Sequence, residues 1–215
     1  MTLRVPPGRA GRLWLRHRLA VLRRGLAVLE RKLLILRRER ERLTLLVERT
    51  GAEWEAACRA ADVWSLRASL LGGRRAFRLA GCGPLAQEGA EARVEVRIEW
   101  ADAAGTSYPG RAVVVWPAQD GSAAIPLTAA LGPAVDACRT ALAAAVAHAA
   151  AGEAERIVRA AETETGRRIR ALRDHVLPRM EAALAAVELA LDDMERADGA
   201  RVRRAVSFRS SRRPD

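Results

Sequence analysis

The stretch LRHRLAVLRRGLAVLERKLLILRRERERLTLLVERTGAEWEAACRAADVWSLRASLL, residues 15–71, decides how the rest of the chain is read. Taken in alternating steps of four and three it gives Leu15, Leu19, Leu22, Leu26, Leu29, Leu33, Leu36, Arg40, Leu43, Val47, Thr50, Trp54, Ala57, Ala61, Trp64, Ala68 and Leu71. Nearly every position is apolar, and no proline interrupts the run. A strict repeat of seven drifts off a straight helix by ~20° per heptad, so a stripe held this long calls for supercoiling against a partner helix. At ~1.5 Å per residue the segment predicts a helix of roughly 85 Å. Arg40 is the one charged residue on the stripe, where a polar group specifies register at a cost in stability. Gly25 costs ~1 kcal/mol against alanine inside a helix, which predicts close approach of another backbone there.

A second helical pattern closes the chain. Leu131, Val135, Cys138, Leu142 and Ala145 form one stripe, and Ile169, Leu172, Val176, Met180, Leu184, Val187, Leu191 and Met194 continue an apolar face. The phase of that face shifts by one residue near Pro178, where a bend is predicted because proline removes a backbone donor and clashes with the preceding turn. Between the two helices Gly72 and Gly73 end the first. Gly81, Gly83, Pro84 and Gly89 mark loops. Val94, Val96, Ile98 and Trp100 alternate with Arg93, Glu95, Arg97 and Glu99, the period of a half-buried strand. Residues 105–110 read as a turn, and Val113, Val114, Val115 and Trp116 as a second strand closed by Pro117. A lone hairpin is marginal in water, so this one is expected to lie against the helices or a partner.

The expected fold is therefore mainly α: a long antiparallel two-helix coiled coil from the N- and C-terminal helices with a small β-hairpin and loop element in the middle. The parts are residues 1–71 (N-terminal helix), 72–128 (loop and hairpin), 129–206 (C-terminal helix) and 207–215 (a polar, basic, disordered tail).

Charge is unevenly placed in this +11 chain. Residues 1–50 carry 14 Arg/Lys against 4 acids and residues 201–215 six Arg against one acid, whereas residues 51–200 hold 17 basic and 21 acidic side chains. Antiparallel pairing would bring the two basic ends to one tip. The aromatic content is only 4%, which suits helix seams better than a thick core. No window approaches 18 uncharged apolar residues, so no membrane span is predicted. Three distant cysteines, Cys58, Cys82 and Cys138, do not make a disulfide framework and point to the cytoplasm, and no secretory signal is expected at the N-terminus.

Sequence motifs for chemistry are weak. The only lysine, Lys32, does not stand in a Gly-Lys-Ser/Thr context, so there is no P-loop. Gly81, Cys82, Gly83, Pro84, Leu85 and Ala86 match G-x-G-x-x-A in letters, but follow no strand and open no amphipathic helix. His17, His148 and His175 lack metal-ligand spacing with any cysteine. Asp192, Asp193 and Glu195 read as a solvated helix face. No nucleophile–base pair or pair of carboxylates stands out, so a non-catalytic protein with no cofactor and no metal is expected. Nucleic-acid binding by the basic ends is weighed and set behind, because Glu30, Glu39, Glu41 and Glu48 interrupt the basic face and no aromatic residues interleave with it.

Two segments resemble one family. Pro7, Arg9, Leu13, Leu15, Arg18, Leu19, Gly25, Val28, Leu29, Lys32 and Leu36 are similar to the N-terminal helix of the D subunit of the V-type (A/V-type) ATPase/ATP synthase. Gly8, Glu30 and Leu33 stand where that pattern has Thr, Lys and Arg. Thr165, Arg167, Arg168, Ile169, Ala171, Leu172 and Pro178, followed by Leu191, Asp192, Asp193, Glu195 and Arg196, are similar to its C-terminal helix. Arg170 replaces Asn and Arg173 replaces Glu there.

The resemblance implies a central-stalk rotor subunit, cytoplasmic and peripheral to the membrane. It implies a coiled-coil tip inside a hexamer of A and B subunits, one-to-one binding of the F subunit, and a membrane-side socket subunit above the proteolipid ring. It gives Gly25 a family role. Arg9, Arg12, Arg16, Arg18, Arg201, Arg203 and Arg204 are assigned to the hexamer-facing tip. Leu15, Leu19, Leu22, Leu26, Leu29, Leu33, Leu36, Leu172, Val176, Leu184, Val187 and Leu191 are assigned to the seam. A self-associating coiled-coil scaffold and the gamma subunit of the F-type enzyme are the alternatives, the latter disfavoured because residues 72–128 are too few for its middle domain. The direction of the reaction, the choice between H⁺ and Na⁺, and the face that holds the F subunit stay open at this stage.

Overall fold

The computed structural model describes residues 5–81, 94–116 and 128–210. The loop readings at Gly83, Pro84 and Gly89, most of the G-x-G-x-x-A match, Arg93, Pro117 and the tail at 211–215 lie outside them. The order of elements is helix α1 (Gly8–Gly81), strands β1 (Glu95–Asp102) and β2 (Ser107–Val115), helix α2 (Leu131–Ala171), a π-helical turn (Leu172–Val176) and helix α3 (Leu177–Ser210). The mainly helical class and the two-stranded antiparallel sheet are those expected. The chain divides into two compact units, one of residues 1–33 and 164–215, the other of residues 34–163.

In the first unit the start of α1 pairs antiparallel with α3. Leu15, Leu19 and Met180 are buried, and Leu22, Leu177, Leu184 and Val187 pack around them. Leu15 is wholly inaccessible. Leu191 and Ile169 are also buried. Val176, assigned by periodicity to this seam, is not part of it: it is exposed and lies in the π-helical turn. A π turn holds one residue more than an α turn, so the apolar face resumes one residue later. Leu177 takes the seam place, and the one-residue phase shift in the sequence is thereby absorbed. The turn ends two residues before Pro178. In an unbroken α-helix the proline ring would clash with the carbonyl four residues back, and the widened turn is where the helix yields.

In the second unit α1 pairs antiparallel with α2. Leu36 and Leu43 are wholly inaccessible, as are Ala154 and Val158 of α2. Farther along, Ala68 of α1 meets Ala130 and Ala134, with Trp64 against them. Small side chains let the helices approach closely here. Gly51 serves the same end: a Cβ at that position would stand 3.3 Å from the Cε1 of His148. Gly25, by contrast, meets nothing, and a Cβ there would enter open space. The close backbone approach predicted at Gly25 is absent, and it is Gly51 that makes room for a neighbour, the His148 side chain. Helix α1 does not stop at Gly72. Its backbone breaks at Gly73, whose φ of 65° and ψ of 175° suit glycine, and helical geometry continues to Gly81. Residues 207–210, expected to be disordered, are the last turn of α3.

The hairpin differs from its expectation in extent and burial. β2 begins at Ser107, inside the segment read as a turn, and the connection is the tight turn 103–106. Ala104 and Gly105 both have positive φ (52° and 74°), the signature of a type I′ turn that matches strand twist. Asp102 fixes it by accepting from the Gly105 N–H at 3.0 Å. Pro109 and Gly110 are tolerated because the ladder shifts between Glu99 and Trp100, leaving Gly110 across from no partner. A Cβ on Gly110 would come within 2.9 Å of the Ala101 Cβ. The strand is not half-buried: Val96, Ile98 and Trp100 are exposed, as are Glu95, Arg97 and Glu99.

What holds the hairpin is its turn end. Ala103 and Tyr108 are buried in the cluster of Leu36, Leu43, Ala154 and Val158. The Tyr108 hydroxyl donates to Glu39 Oε1 at 2.7 Å, and Arg42 donates to the same oxygen from Nη2 at 2.6 Å. Arg42 is the main reason the Glu39 carboxyl sits below its usual range, with Tyr108 adding to it against an opposing effect of burial. Burial first, then the Glu39 contact, pushes the Tyr108 phenol up. A lowered carboxyl stabilises above its unfolded value, ~4.3, and loses that contribution as pH falls through the folded value. A raised phenol stabilises below ~10 and loses it as pH rises through its folded value. Docking of the hairpin should therefore weaken at both extremes. Tyr108→Phe is expected to cost about 1.5 kcal/mol at pH 7 and to flatten the alkaline limb, as read by urea unfolding across pH. An unaltered alkaline limb would show that the phenol does not control it.

Candidate interaction surfaces

Ion pairs run along both helix pairs. In the first unit Arg9 reaches Glu195 at 3.1 Å, Arg16 reaches Glu188 at 2.6 Å and Arg23 reaches Glu181 at 2.8 Å. The next rung is Glu30 with Arg173. Each advance of seven along α1 is matched by a retreat of seven along α3, until the π turn changes the last step to eight. In the second unit Arg37 and Arg40 both reach Glu162, at 3.2 and 2.9 Å. Arg40, the charged residue on the seam, is thus half-exposed and paired, not a bare charge in an apolar groove.

Of the seven arginines assigned to the tip, Arg9 and Arg16 are rungs of this ladder. Arg18 lies over the Trp14 ring, 5.3 Å from its centroid, and Arg201 pairs with Asp198 at 3.2 Å. Arg12 is half-buried, and Arg203 and Arg204 are exposed. Arg201, Arg203 and Arg204 lie beyond Glu195, the α3 residue that faces the first turn of α1. The last turns of α3 overhang α1, and Val202 and Val206 on them are each 62% exposed. A helix end that is basic and carries exposed valines is the arrangement a binding partner would cover.

A second stripe on α1 is masked in the sequence by the stronger seam. Val21 and Val28 are exposed and seven apart, with exposed Arg24 and Arg31 between and after them at the same heptad spacing. In the second unit Val63, Leu66 and Leu70 form a like stripe, at 47, 61 and 77% exposure. Trp64, Arg67, Leu70, Leu71, Ala129, Ala130 and Pro133 line an open apolar depression beside it.

Of the family-motif positions, Lys32 is half-buried, Thr165 and Ile169 are buried, Arg167 and Arg168 are exposed, Leu172 opens the π turn and Pro178 lies two residues past its end. His148 stacks on Trp54 with centroids 5.5 Å apart. The Thr50 hydroxyl donates to the Leu46 carbonyl at 2.8 Å, so His148 Nδ1, 3.2 Å from that hydroxyl oxygen, is the donor between the two. His148 therefore sits in the α1–α2 seam, and no cluster of three or more metal-ligating side chains occurs among the described residues. No helix among them is long and apolar enough to cross a membrane.

Heptad-paired helices bridged by ion pairs, with apolar and basic stripes left exposed, define a coiled-coil protein. The chain belongs to the family of the ATP synthase D subunit, and the family model matches residues 13–207. It is by that membership a subunit of a rotary ATPase. No curated protein sequence matches it.

Proposed function

We propose that this chain is the central-stalk rotor subunit of a V/A-type ATPase/ATP synthase. It carries torque between the catalytic hexamer of A and B subunits and the ion-translocating membrane ring, coupling ATP hydrolysis or synthesis to H⁺ or Na⁺ transport. The ion-pair ladder over an apolar seam is the observation that carries this reading within the family. Twisting one helix about the other parts buried leucines and ion pairs together, so torsion meets resistance all along the seam. The chain itself is non-catalytic on this reading, and Mg-ATP belongs to its partners. The basic overhang of α3 faces the hexamer, the F subunit binds one-to-one, and a socket subunit above the proteolipid ring takes the other end. The location is cytoplasmic, peripheral to the membrane.

The exposed Val63, Leu66 and Leu70 stripe favours a second reading, a scaffold that pairs with its own copy. The two separate by mass. Light scattering with sedimentation, on the chain alone and mixed with a candidate small F subunit, is expected to give a monomer that becomes a one-to-one elongated complex. A stable homodimer indifferent to that F subunit would overturn the rotor assignment.

A further inference from the structure

The ladder in the first unit has one rung of opposite polarity. Arg9, Arg16 and Arg23 put the cation on α1 and Glu195, Glu188 and Glu181 put the anion on α3, whereas Glu30 and Arg173 reverse this. The rung is held by the attraction of Glu30 on α1 for Arg173 in the π turn, and reversing either charge alone would set like charges face to face.

We infer that the reversed Glu30–Arg173 rung is a register lock, which makes the helix pair reject alignments displaced by one heptad. A heptad seam is nearly degenerate under a slide of seven residues, since leucine again meets leucine. A ladder of uniform polarity is degenerate in the same way, because every cation on one helix meets an anion on the other after the slide. The reversed rung removes that degeneracy in both directions. Sliding α3 so that Arg16 takes Glu195 and Arg23 takes Glu188 brings Glu30 onto Glu181. Sliding it the other way, so that Arg9 takes Glu188 and Arg16 takes Glu181, brings Arg173 onto Arg23. Each wrong alignment trades an attraction for a repulsion at the same place. The lock rests on the ladder geometry alone and does not depend on the rotor assignment.

The decisive variant is the uniform ladder, Glu30→Lys with Arg173→Glu, which keeps the rung and restores the degeneracy. Register is read by disulfide capture during refolding of the full chain, with Cys58→Ala, Cys82→Ala and Cys138→Ala. Ala20 and Ala185 line one groove between the helices, so Ala20→Cys with Ala185→Cys reports the native register. Ala20→Cys with Asp192→Cys reports the slide that brings Glu30 onto Glu181. The double swap is expected to keep the wild-type melting temperature yet raise the ratio of displaced to native disulfide by about fivefold. Glu30→Lys and Arg173→Glu made singly are expected to melt below both. An unchanged disulfide ratio in the double swap, including none captured in either background, overturns the lock. So does a double swap that melts no higher than the single variants, because the rung itself would then be absent.

Discussion

Leu36→Ala combined with Leu43→Ala is expected to remove about 6 kcal/mol of stability, close to the whole of what a domain of this size has to lose. Both side chains are wholly inaccessible, and they share one cluster with Val158, Ala154 and the hairpin's Tyr108. A buried leucine cut to alanine costs ~2–5 kcal/mol, the spread reflecting how far the surroundings collapse into the cavity. The two sites stand ~10 Å apart along the helix but share the Val158, Ala154 and Tyr108 cluster, so their losses are coupled, and the pair is expected to cost less than two fully independent cavities would. Total stabilities of ~5–15 kcal/mol leave little after that. Leu34→Ala and Leu45→Ala, changes to leucines 49 and 67% exposed on the same helix, are the control. Each should cost less than ~0.5 kcal/mol. Urea unfolding with one probe on the helices and one on Trp fluorescence measures both pairs. Equal losses in the two pairs would mean that the heptad seam is not what holds the second unit.

The second large effect is functional. Arg201→Glu, Arg203→Glu and Arg204→Glu together change the charge of the α3 overhang by six units, on a segment that α1 does not cover. The fold should tolerate this, since the ion pair these three arginines make among the described residues is the exposed Arg201–Asp198 pair, and such pairs contribute ~0–1 kcal/mol. In the assembled complex, ATP-driven ion pumping is expected to fall at least tenfold, with the hexamer either turning over without pumping or failing to retain this chain. Charge reversal at a docking surface costs through repulsion with the partner, so it exceeds the loss from neutral replacement. Coupled pumping at the wild-type rate, with the chain retained, would remove the overhang from the proposed interface. Reversing Arg9 and Arg16 is a different experiment, because it breaks rungs with Glu195 and Glu188 and acts on stability first.

What the sequence determined by itself was periodic. The heptad stripe from Leu15 through Leu36 and Leu43, the α3 face at Met180, Leu184, Val187 and Leu191, and the alternation of β1 all repeat at intervals set by backbone geometry. Such signals need no knowledge of the partner. The one-residue phase shift before Pro178 was equally visible, although only the backbone showed that a π turn absorbs it and that Leu177 replaces Val176 on the seam. Tertiary structure decided everything that depends on two distant residues meeting. Glu30 and Arg173 are 143 positions apart, and Tyr108 and Glu39 are 69 apart. Read singly, the first pair is two charge changes and the second a tyrosine among turn residues and a surface glutamate. Their meaning lies in the pairing, because a charge acts through its neighbour and a buried phenol needs an acceptor. The same holds for Gly25 and Gly51. Both are glycines inside a helix, and only the position of His148 shows which one leaves room for a neighbouring side chain.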